Sequence, residues 1–259
     1  MSIPIDIFRF PLNLILLLIW AAVVYVLWEK HPKSGFVRFM LSPGATYWAV
    51  GLFLVLCLAI GITGHRWIVN TWPFVLFMIY FQTVLSYVIL RGWREATATG
   101  ARLGPVRWRF LFLHAGLLVT VASAFWGAPD KETLKLQVFK GEPVSEAYRE
   151  DGKIIWLKNA VTLQDFKVSY GNDGVPSDYE ATVTTGDRTF ALRVNHPHAL
   201  RFGEDMYLSG YDVQAAEYCV LQVVRDPWRY GILAGILMML AGAFMLFVGG
   251  PRRRMEEMD

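Results

Sequence analysis

Long blocks of apolar residues separated by short polar segments fill the first half of the chain, and one more such block lies near its end. An α-helix needs roughly 20 mostly apolar residues to cross the hydrocarbon core of a bilayer. Five blocks meet this length, so we predict spanning helices over residues 8–28, 45–63, 72–90, 110–127 and 230–249. The first block lacks the basic start and the cleavage site of a signal peptide, and we interpret it as a retained helix.

Basic residues in the short connections predict the orientation of these helices, because Lys and Arg accumulate on the cytoplasmic side. One side carries eleven of them: Lys30, Lys33, Arg38, Arg91, Arg94, Arg102, Arg107, Arg109, Arg252, Arg253 and Arg254. The other side carries Arg9 and Arg66. We therefore expect the N-terminus outside, the C-terminus in the cytoplasm, and the segment between the fourth and fifth helices outside.

Residues 128–227 alternate short β-branched and aromatic runs with turn sequences such as Gly171-Asn172-Asp173-Gly174, which is typical of an all-β domain. Seven strands are predicted, at 134–139, 154–157, 161–170, 179–184, 190–194, 206–211 and 218–224. The predicted fold is an α+β membrane protein with five transmembrane helices and a sandwich-like or open-barrel-like β domain inserted between helices 4 and 5. We divide the chain into residues 1–127 with helices 1–4, residues 128–227 with the β domain, and residues 228–259 with the last helix and a basic cytoplasmic tail.

Composition supports a membrane protein and excludes several other classes. Hydrophobic types make up 54% of the 259 residues, charged types only 18%, and the mean hydropathy is +0.35. Such a chain is neither disordered nor, with two cysteines, a disulfide scaffold. The net charge of +3 is small and follows from the membrane topology, so no nucleic-acid partner is expected. The lipid bilayer is the first predicted partner.

His114 is the main candidate for chemistry, because it lies inside the fourth predicted span, roughly 6 Å below the cytoplasmic interface. An ionisable residue at such a place is by default a functional candidate. A neutral imidazole there is suited to ligating haem iron. The alternative is a histidine that hydrogen-bonds a neighbouring helix and only packs the bundle. The sequence leaves both open.

The other histidines give weaker signals. His65, beside Arg66 and Trp67 at the outer end of the second span, is either a haem contact or an ordinary interfacial residue. His31 is expected to be solvated, and His196 and His198 flank a proline with no third metal ligand nearby. No metal other than haem iron at His114 is therefore predicted. With one intramembrane histidine, a bis-histidine haem held by this chain alone is disfavoured.

The two cysteines and the small residues of the helices do not point to catalysis. Cys57 and Cys219 are expected to stay unpaired, and neither forms a Cys-x-x-Cys motif. Gly116, Thr120 and Ala124 form a stripe of small residues on the fourth span, and Gly231, Gly235 and Ala241-Gly242 lie on the fifth. Such faces let helices approach closely, either within the chain or toward a partner.

Four stretches together resemble the ResB/CcsB family of cytochrome c biogenesis proteins. They are residues 108–118 around His114-Ala115-Gly116, Leu163-Gln164-Asp165-Phe166 with Tyr170 and Gly174, Asn195-His196-Pro197 followed by Gly203, Tyr207 and Tyr211-Asp212, and Asp226-Pro227-Trp228. The resemblance covers about residues 42–250. The chain departs from the family in having four rather than three helices before the outer domain, and it lacks the tryptophan-rich motif of the partner family, CcsA.

The resemblance implies a subunit of a system II cytochrome c synthetase, a haem lyase shared with a CcsA-like membrane protein rather than a complete enzyme. Haem b, as transported cargo, would meet His114, with His65 as a second candidate. It would then be delivered to the Cys-x-x-Cys-His motif of apocytochrome c, with the β domain in the periplasm of a bacterial inner membrane. The alternatives are a scaffold for an outer-face partner that never touches haem and a subunit of a haem- or quinone-linked respiratory complex.

Overall fold

The computed structural model describes residues 5–64, 66–98, 105–172, 176–211 and 217–249. These residues form two compact units, divided between Pro129 and Asp130 and between Pro227 and Trp228. The first unit is helical and the second is a β-sheet. The chain is thus of the α+β class predicted from the sequence.

The helical unit contains one short and five long α-helices. They are α1 (Leu12–Lys30), α2 (Gly35–Met40), α3 (Pro43–Thr63), α4 (Trp72–Ala98), α5 (Pro105–Gly127) and α6 (Arg229–Gly249). The five long ones are apolar enough to cross a membrane, which matches the five predicted spans and fits a multi-pass membrane protein. Helix α4 continues eight residues beyond the predicted end, because residues 91–98 contain good helix formers and an Arg91–Glu95 pair at i,i+4 spacing.

Local signals in the sequence account for the helix ends near residues 34–64. The Ser34 hydroxyl accepts a hydrogen bond from the Val37 N–H, and the Ser42 hydroxyl accepts one from the Ala45 N–H. These are N-caps, which satisfy backbone donors that a helix start leaves unpaired. At the other end of α3, Gly64 takes the left-handed conformation with a φ of 66° that closes many helices.

Helices α5 and α6 pack with their backbones in close approach. A Cβ atom on Gly116 would lie 2.7 Å from the carbonyl oxygen of Gly235, and one on Gly235 would lie 2.6 Å from the carbonyl oxygen of Gly116. Gly242 lies against Leu113 in the same way. These three glycines therefore serve packing within this chain, one of the two alternatives left open for the small residues of the two helices.

Three indole and amide hydrogen bonds join α1, α4 and α5. The Trp20 indole N–H donates to the Thr83 hydroxyl over 3.1 Å, and the Trp126 indole N–H donates to the Gln82 side-chain oxygen over 3.1 Å. The Asn13 amide donates to the Trp126 carbonyl oxygen over 2.9 Å. Asn13 and Gln82, the polar residues that interrupt the first and third apolar blocks, thus both find a partner in Trp126 of α5, as buried polar groups must.

Eight strands form the second unit: β1 (Glu132–Phe139), β2 (Pro143–Arg149), β3 (Ile154–Tyr170), β4 (Pro176–Thr185), β5 (Arg188–Arg193), β6 (His198–Arg201), β7 (Glu204–Tyr211) and β8 (Tyr218–Arg225). They make one antiparallel sheet in the order β5-β4-β3-β2-β1-β8-β7-β6. Alternate side chains, such as Leu134, Leu136 and Val138 of β1, are buried in a single core.

The two edge strands of this sheet approach each other. The rings of Phe190 on β5 and His198 on β6 stack with centroids 3.8 Å apart and an interplanar angle of 7°. The Arg188 guanidinium also donates to the Leu200 carbonyl oxygen over 3.5 Å. The sheet therefore curls around its core like an open barrel, and the described strands do not divide into the two sheets of a sandwich.

The strand prediction was wrong in two respects. It missed β2 and β6, because β2 has few β-branched residues (its sequence is PVSEAYR) and β6 is short and follows Pro197. It also split β3 in two at the exposed polar residues Lys158 and Asn159, through which the strand continues. Polar residues on the outer face of a curled sheet were mistaken for a turn.

The close approach of α5 and α6 predicts a strong effect of side-chain size at Gly235. Replacing Gly235 by Leu should destabilise the helical unit by about 1–3 kcal/mol, because the new side chain meets backbone atoms of α5. The measurement is the thermal unfolding midpoint of the purified chain in detergent. The matched control is Gly51→Leu on α3, where no heavy atom lies within 4 Å of the added Cβ. Equal effects of the two changes would contradict this packing.

The β2–β3 turn predicts a pH-dependent contribution to stability. Arg149 donates two hydrogen bonds to the Asp151 carboxylate, over 2.9 and 2.6 Å, and these hold the pKa of that carboxyl well below its usual range. A lowered carboxyl pKa stabilises the fold above the unfolded value of about 4, and this contribution is lost as the pH falls through the folded pKa. Asp151→Asn should therefore lower the melting temperature at pH 7.

Melting curves of both proteins at a series of pH values test this expectation. The difference between the parent and Asp151→Asn should shrink below about pH 4, where the unfolded carboxyl is itself protonated. A difference that stays constant down to the lowest accessible pH would show that the carboxylate charge is not what stabilises the turn.

Candidate functional site around His114

His114 lies on α5, one helical turn after Phe110, and is half-buried. At 3.6 residues per turn it shares a helix face with Leu118, Val121 and Phe125. Val121 is buried in the core of the helical unit, and the other two side chains pack against that core. The imidazole is therefore on the side of α5 that faces the other helices, and it keeps part of its surface open.

One hydrogen bond determines which nitrogen of the imidazole is available. The Nδ1 atom lies 2.8 Å from the carbonyl oxygen of Phe110, so Nδ1 carries the proton and donates it. In a neutral ring this leaves the lone pair on Nε2. A ring whose N–H is anchored to a backbone carbonyl while the other nitrogen is unprotonated is the usual arrangement of a metal-ligating histidine.

The same hydrogen bond bears on the packing alternative. Its acceptor belongs to α5 itself, and in the part of the chain that the structure describes His114 makes no hydrogen bond to a neighbouring helix. The imidazole therefore does not hold two helices together through its polar atoms.

The position of the imidazole depends on Phe110 and, through it, on Gly92. The Phe110 and His114 rings lie with centroids 4.1 Å apart and an interplanar angle of 31°. The Phe110 ring in turn occupies the space beside Gly92 of α4, where a Cβ atom would lie 3.0 Å from its Cζ atom. Sequence reasoning missed Gly92, although a glycine inside a helical stretch of good helix formers is a signal of close packing.

Basic side chains lie at the helix ends on the same side of the unit as His114. Arg94 of α4 forms an ion pair of 2.8 Å with Glu29 of α1, and its guanidinium lies 4.5 Å from the centroid of the Trp28 ring. Trp28 in turn stacks on Tyr87 of α4, with centroids 6.0 Å apart. These contacts hold the C-terminal ends of α1 and α4 together near the N-terminal end of α5.

The other histidines either lie away from His114 or fall outside the residues that the structure describes. His65 falls outside the described residues. His31 is exposed at the C-terminal cap of α1. His196 is exposed in the turn before β6, with its Nδ1 atom 3.1 Å from the Val194 carbonyl oxygen, and His198 stacks on Phe190. Among the described residues, no group of three or more His, Cys, Asp or Glu side chains could hold a metal ion.

Both cysteines are free thiols. Cys219 is buried in the core of the β unit, and desolvation raises the pKa of its thiol to about 12. It is therefore not a nucleophile near neutral pH. Cys57 is exposed on α3, a helix long and apolar enough to span a membrane.

A comparison with known proteins finds a family match in the middle of the chain. A sequence model of the ResB-like family matches residues 94–217. Among solved structures, that of "Cytochrome c Heme Lyase CcmF" aligns at 17% sequence identity and a TM-score of 0.45, over 88% of this chain and 43% of that one. The chain thus spans less than half the length of that structure. No curated protein matches the chain.

The matched segment begins near the end of α4 and includes α5 with His114 and the strands β1–β7. It contains three of the four stretches on which the sequence resemblance was based, and it confirms that resemblance. Helices α1, α3 and α6 lie outside it.

The hydrogen bond to Phe110 predicts the tautomer of His114. In protein labelled with ¹⁵N-histidine and placed in lipid bilayers, the His114 Nδ1 resonance should have the shift of a protonated imidazole nitrogen and the Nε2 resonance that of an unprotonated one. The signals are assigned by their loss in His114→Ala. The opposite pattern, with the proton on Nε2, would contradict the geometry and remove the free lone pair.

Proposed function

The chain carries a ResB-like domain at residues 94–217, and from this premise we propose that it is a subunit of the membrane machinery of cytochrome c biogenesis, where it contacts haem at His114. It would work as one part of a haem lyase and not as a complete enzyme. The observation that carries this proposal is the coincidence of two facts. The family match includes α5, and α5, which is long and apolar enough to span a membrane, holds an imidazole whose Nδ1 is hydrogen-bonded to the backbone and whose Nε2 lone pair is left over.

His114 suits the role of an iron ligand for chemical reasons. Its Nε2 lone pair can bind the iron of haem b, which is cargo here and not a resident cofactor. The hydrogen bond from Nδ1 to the Phe110 carbonyl oxygen fixes the ring orientation and raises the basicity of Nε2. The half-open surface of the imidazole leaves an approach from outside the helical unit.

A second protein is part of the proposal, because this chain supplies one ligand. Within the described residues, His114 is the one histidine that lies in a helix long enough to span a membrane. The opposite face of the iron would be ligated by a CcsA-like membrane protein. His65 stays a candidate contact for haem that the structure does not describe.

The distribution of basic residues supports a direction of haem movement. With Lys and Arg on the cytoplasmic side, His114 lies near the inner face of a bacterial inner membrane, and the β unit lies in the periplasm. Haem would be received near His114 and attached to the two cysteines of apocytochrome c outside.

The β unit would position apocytochrome c or brace the partner. Its outer surface exposes large side chains on neighbouring positions of β2 and β3: Trp156 is 68% exposed, Ile154 49% and Tyr148 48%. Exposed aromatic residues that lie together are typical of protein-binding surfaces.

His114→Ala tests the proposal directly. The variant should insert in the membrane at normal levels, lose haem that co-purifies with the complex by more than about tenfold, and fail to support assembly of holocytochrome c. Absorption spectra of the chain purified with its membrane partner measure the first effect, and haem staining of cytochrome c measures the second.

The matched control is His31→Ala, which removes an exposed imidazole from the end of α1. It should leave both readouts unchanged. Normal holocytochrome c in His114→Ala, or a parent complex without a Soret band, would favour a scaffold that does not touch haem. Retained haem with a reproducible midpoint potential and normal quinone-linked activity would favour a respiratory subunit.

A further inference from the structure

The helical unit contains a cavity of about 650 Å³ at the end opposite to His114. Its wall is built from the beginning of α1, the beginning of α4 and the end of α5, where Asn13, Trp72 and Trp126 lie. Lining residues on α4 run from Trp72 to Ile79, seven residues apart, so the cavity extends about 10 Å along the helices. The distribution of Lys and Arg predicts that this end of the helical unit lies at the outer side of the membrane.

The cavity is open to its surroundings. Ile19 of α1 and Trp72 of α4 both line it, and they are 54% and 50% exposed. Ala124 of α5 lines it too and is also exposed. Since α1, α4 and α5 are all long and apolar enough to span a membrane, an opening between them faces the bilayer over part of its depth.

The polar side chains that α1 and α5 contribute to the wall are already paired. The indole N–H groups of Trp20 and Trp126 donate to Thr83 and Gln82, and the Asn13 amide donates to the Trp126 carbonyl oxygen. Other lining side chains, such as Leu16, are apolar. A water molecule needs two to four polar partners to be stable in a cavity, and the described lining does not offer them away from Asn70 and Trp72.

An empty space of this size is equally unfavourable, because the surrounding atoms lose their dispersion contacts. The volume is that of a ligand site for an apolar molecule. A hydrocarbon chain would fill the space with dispersion contacts and would need no hydrogen-bond partners. The acyl chains of the surrounding membrane lipids are a ready source of hydrocarbon.

The rim of the cavity offers polar groups where a lipid would have its ester oxygens. Asn70, just before α4, and Trp72, at its first position, both line the cavity. In the part of the chain that the structure describes, neither the Asn70 amide nor the Trp72 indole N–H has a hydrogen-bond partner. Tryptophan is enriched at the level of the lipid head groups, which agrees with this position.

We propose that this cavity is a binding site for one acyl chain of a membrane phospholipid, whose ester oxygens accept hydrogen bonds from Asn70 and Trp72. The chain would fill the space between α1, α4 and α5. Haem suits the cavity less well, because among the described lining residues the one group able to ligate iron is the Met78 thioether and there is no basic side chain for the propionates.

Photo-crosslinking in nanodiscs tests this site with the intact chain. The probe is a phosphatidylglycerol with a diazirine near the end of one acyl chain, mixed into unlabelled lipid. After illumination and digestion, cross-links should concentrate on peptides that line the cavity, around residues 16–20, 74–79 and 124–129. Cross-links spread evenly over the exposed faces of α3 and α6 in the parent protein would overturn the proposal.

Ala124→Phe should close the cavity and reduce cross-linking of the 16–20 and 74–79 peptides by about tenfold, because the ring takes the space of the acyl chain. The matched control is Ala243→Phe on an exposed position of α6, which should leave these cross-links unchanged. If Ala124→Phe does not fold, Leu16→Trp fills the same cavity from α1. Unchanged cross-linking in a folded filled variant, or loss of a haem Soret band in its place, would overturn the proposal.

Discussion

Inside a bilayer the hydrophobic effect does not drive helices together, so the pairing of α5 with α6 depends on close contact between their backbones. Gly116 and Gly235 allow it, because each would place a Cβ atom within 3 Å of the other helix. Both helices are also the points where the chain enters and leaves the β unit. The contact therefore holds the helix with His114 and brings the two connections to the β unit into one helix pair.

Helix α1 is held by a different kind of interaction. It has little buried surface, and its buried residues are Asn13, Val24 and Trp28. Three polar contacts at different positions along α1 join it to α4 and α5: the hydrogen bonds from Asn13 and Trp20, and the ion pair of Glu29 with Arg94. Because these contacts are spaced apart, α1 does not pack closely against α4 and α5 between them, and the cavity occupies that space. A lipid chain in it would add the dispersion contacts that α1 lacks.

The sequence predicted the five spans well because a spanning helix has a single strong signal, a long block without charges. It predicted the β unit less well, since a curled sheet with one solvated face admits polar stretches such as Lys158-Asn159 inside a strand. For the candidate site, the sequence could single out His114 because it lies inside a predicted spanning helix. It could not give the acceptor of the Nδ1 proton, which depends on the side-chain rotamer of His114, or the role of Gly92, which depends on how the Phe110 ring packs.

The placement of Phe110 connects the helix packing to the chemistry of His114. Phe110 supplies the carbonyl oxygen that receives the Nδ1 proton, and its ring lies against the imidazole. That ring fits only because α4 has a glycine at position 92. The i,i+4 spacing on α5 places the Phe110 carbonyl oxygen within reach of Nδ1, and Gly92 leaves room for the ring that lies against the imidazole. A ring that these contacts already hold in one orientation suits the haem-ligand role proposed for it, because binding then requires little rearrangement of the side chain.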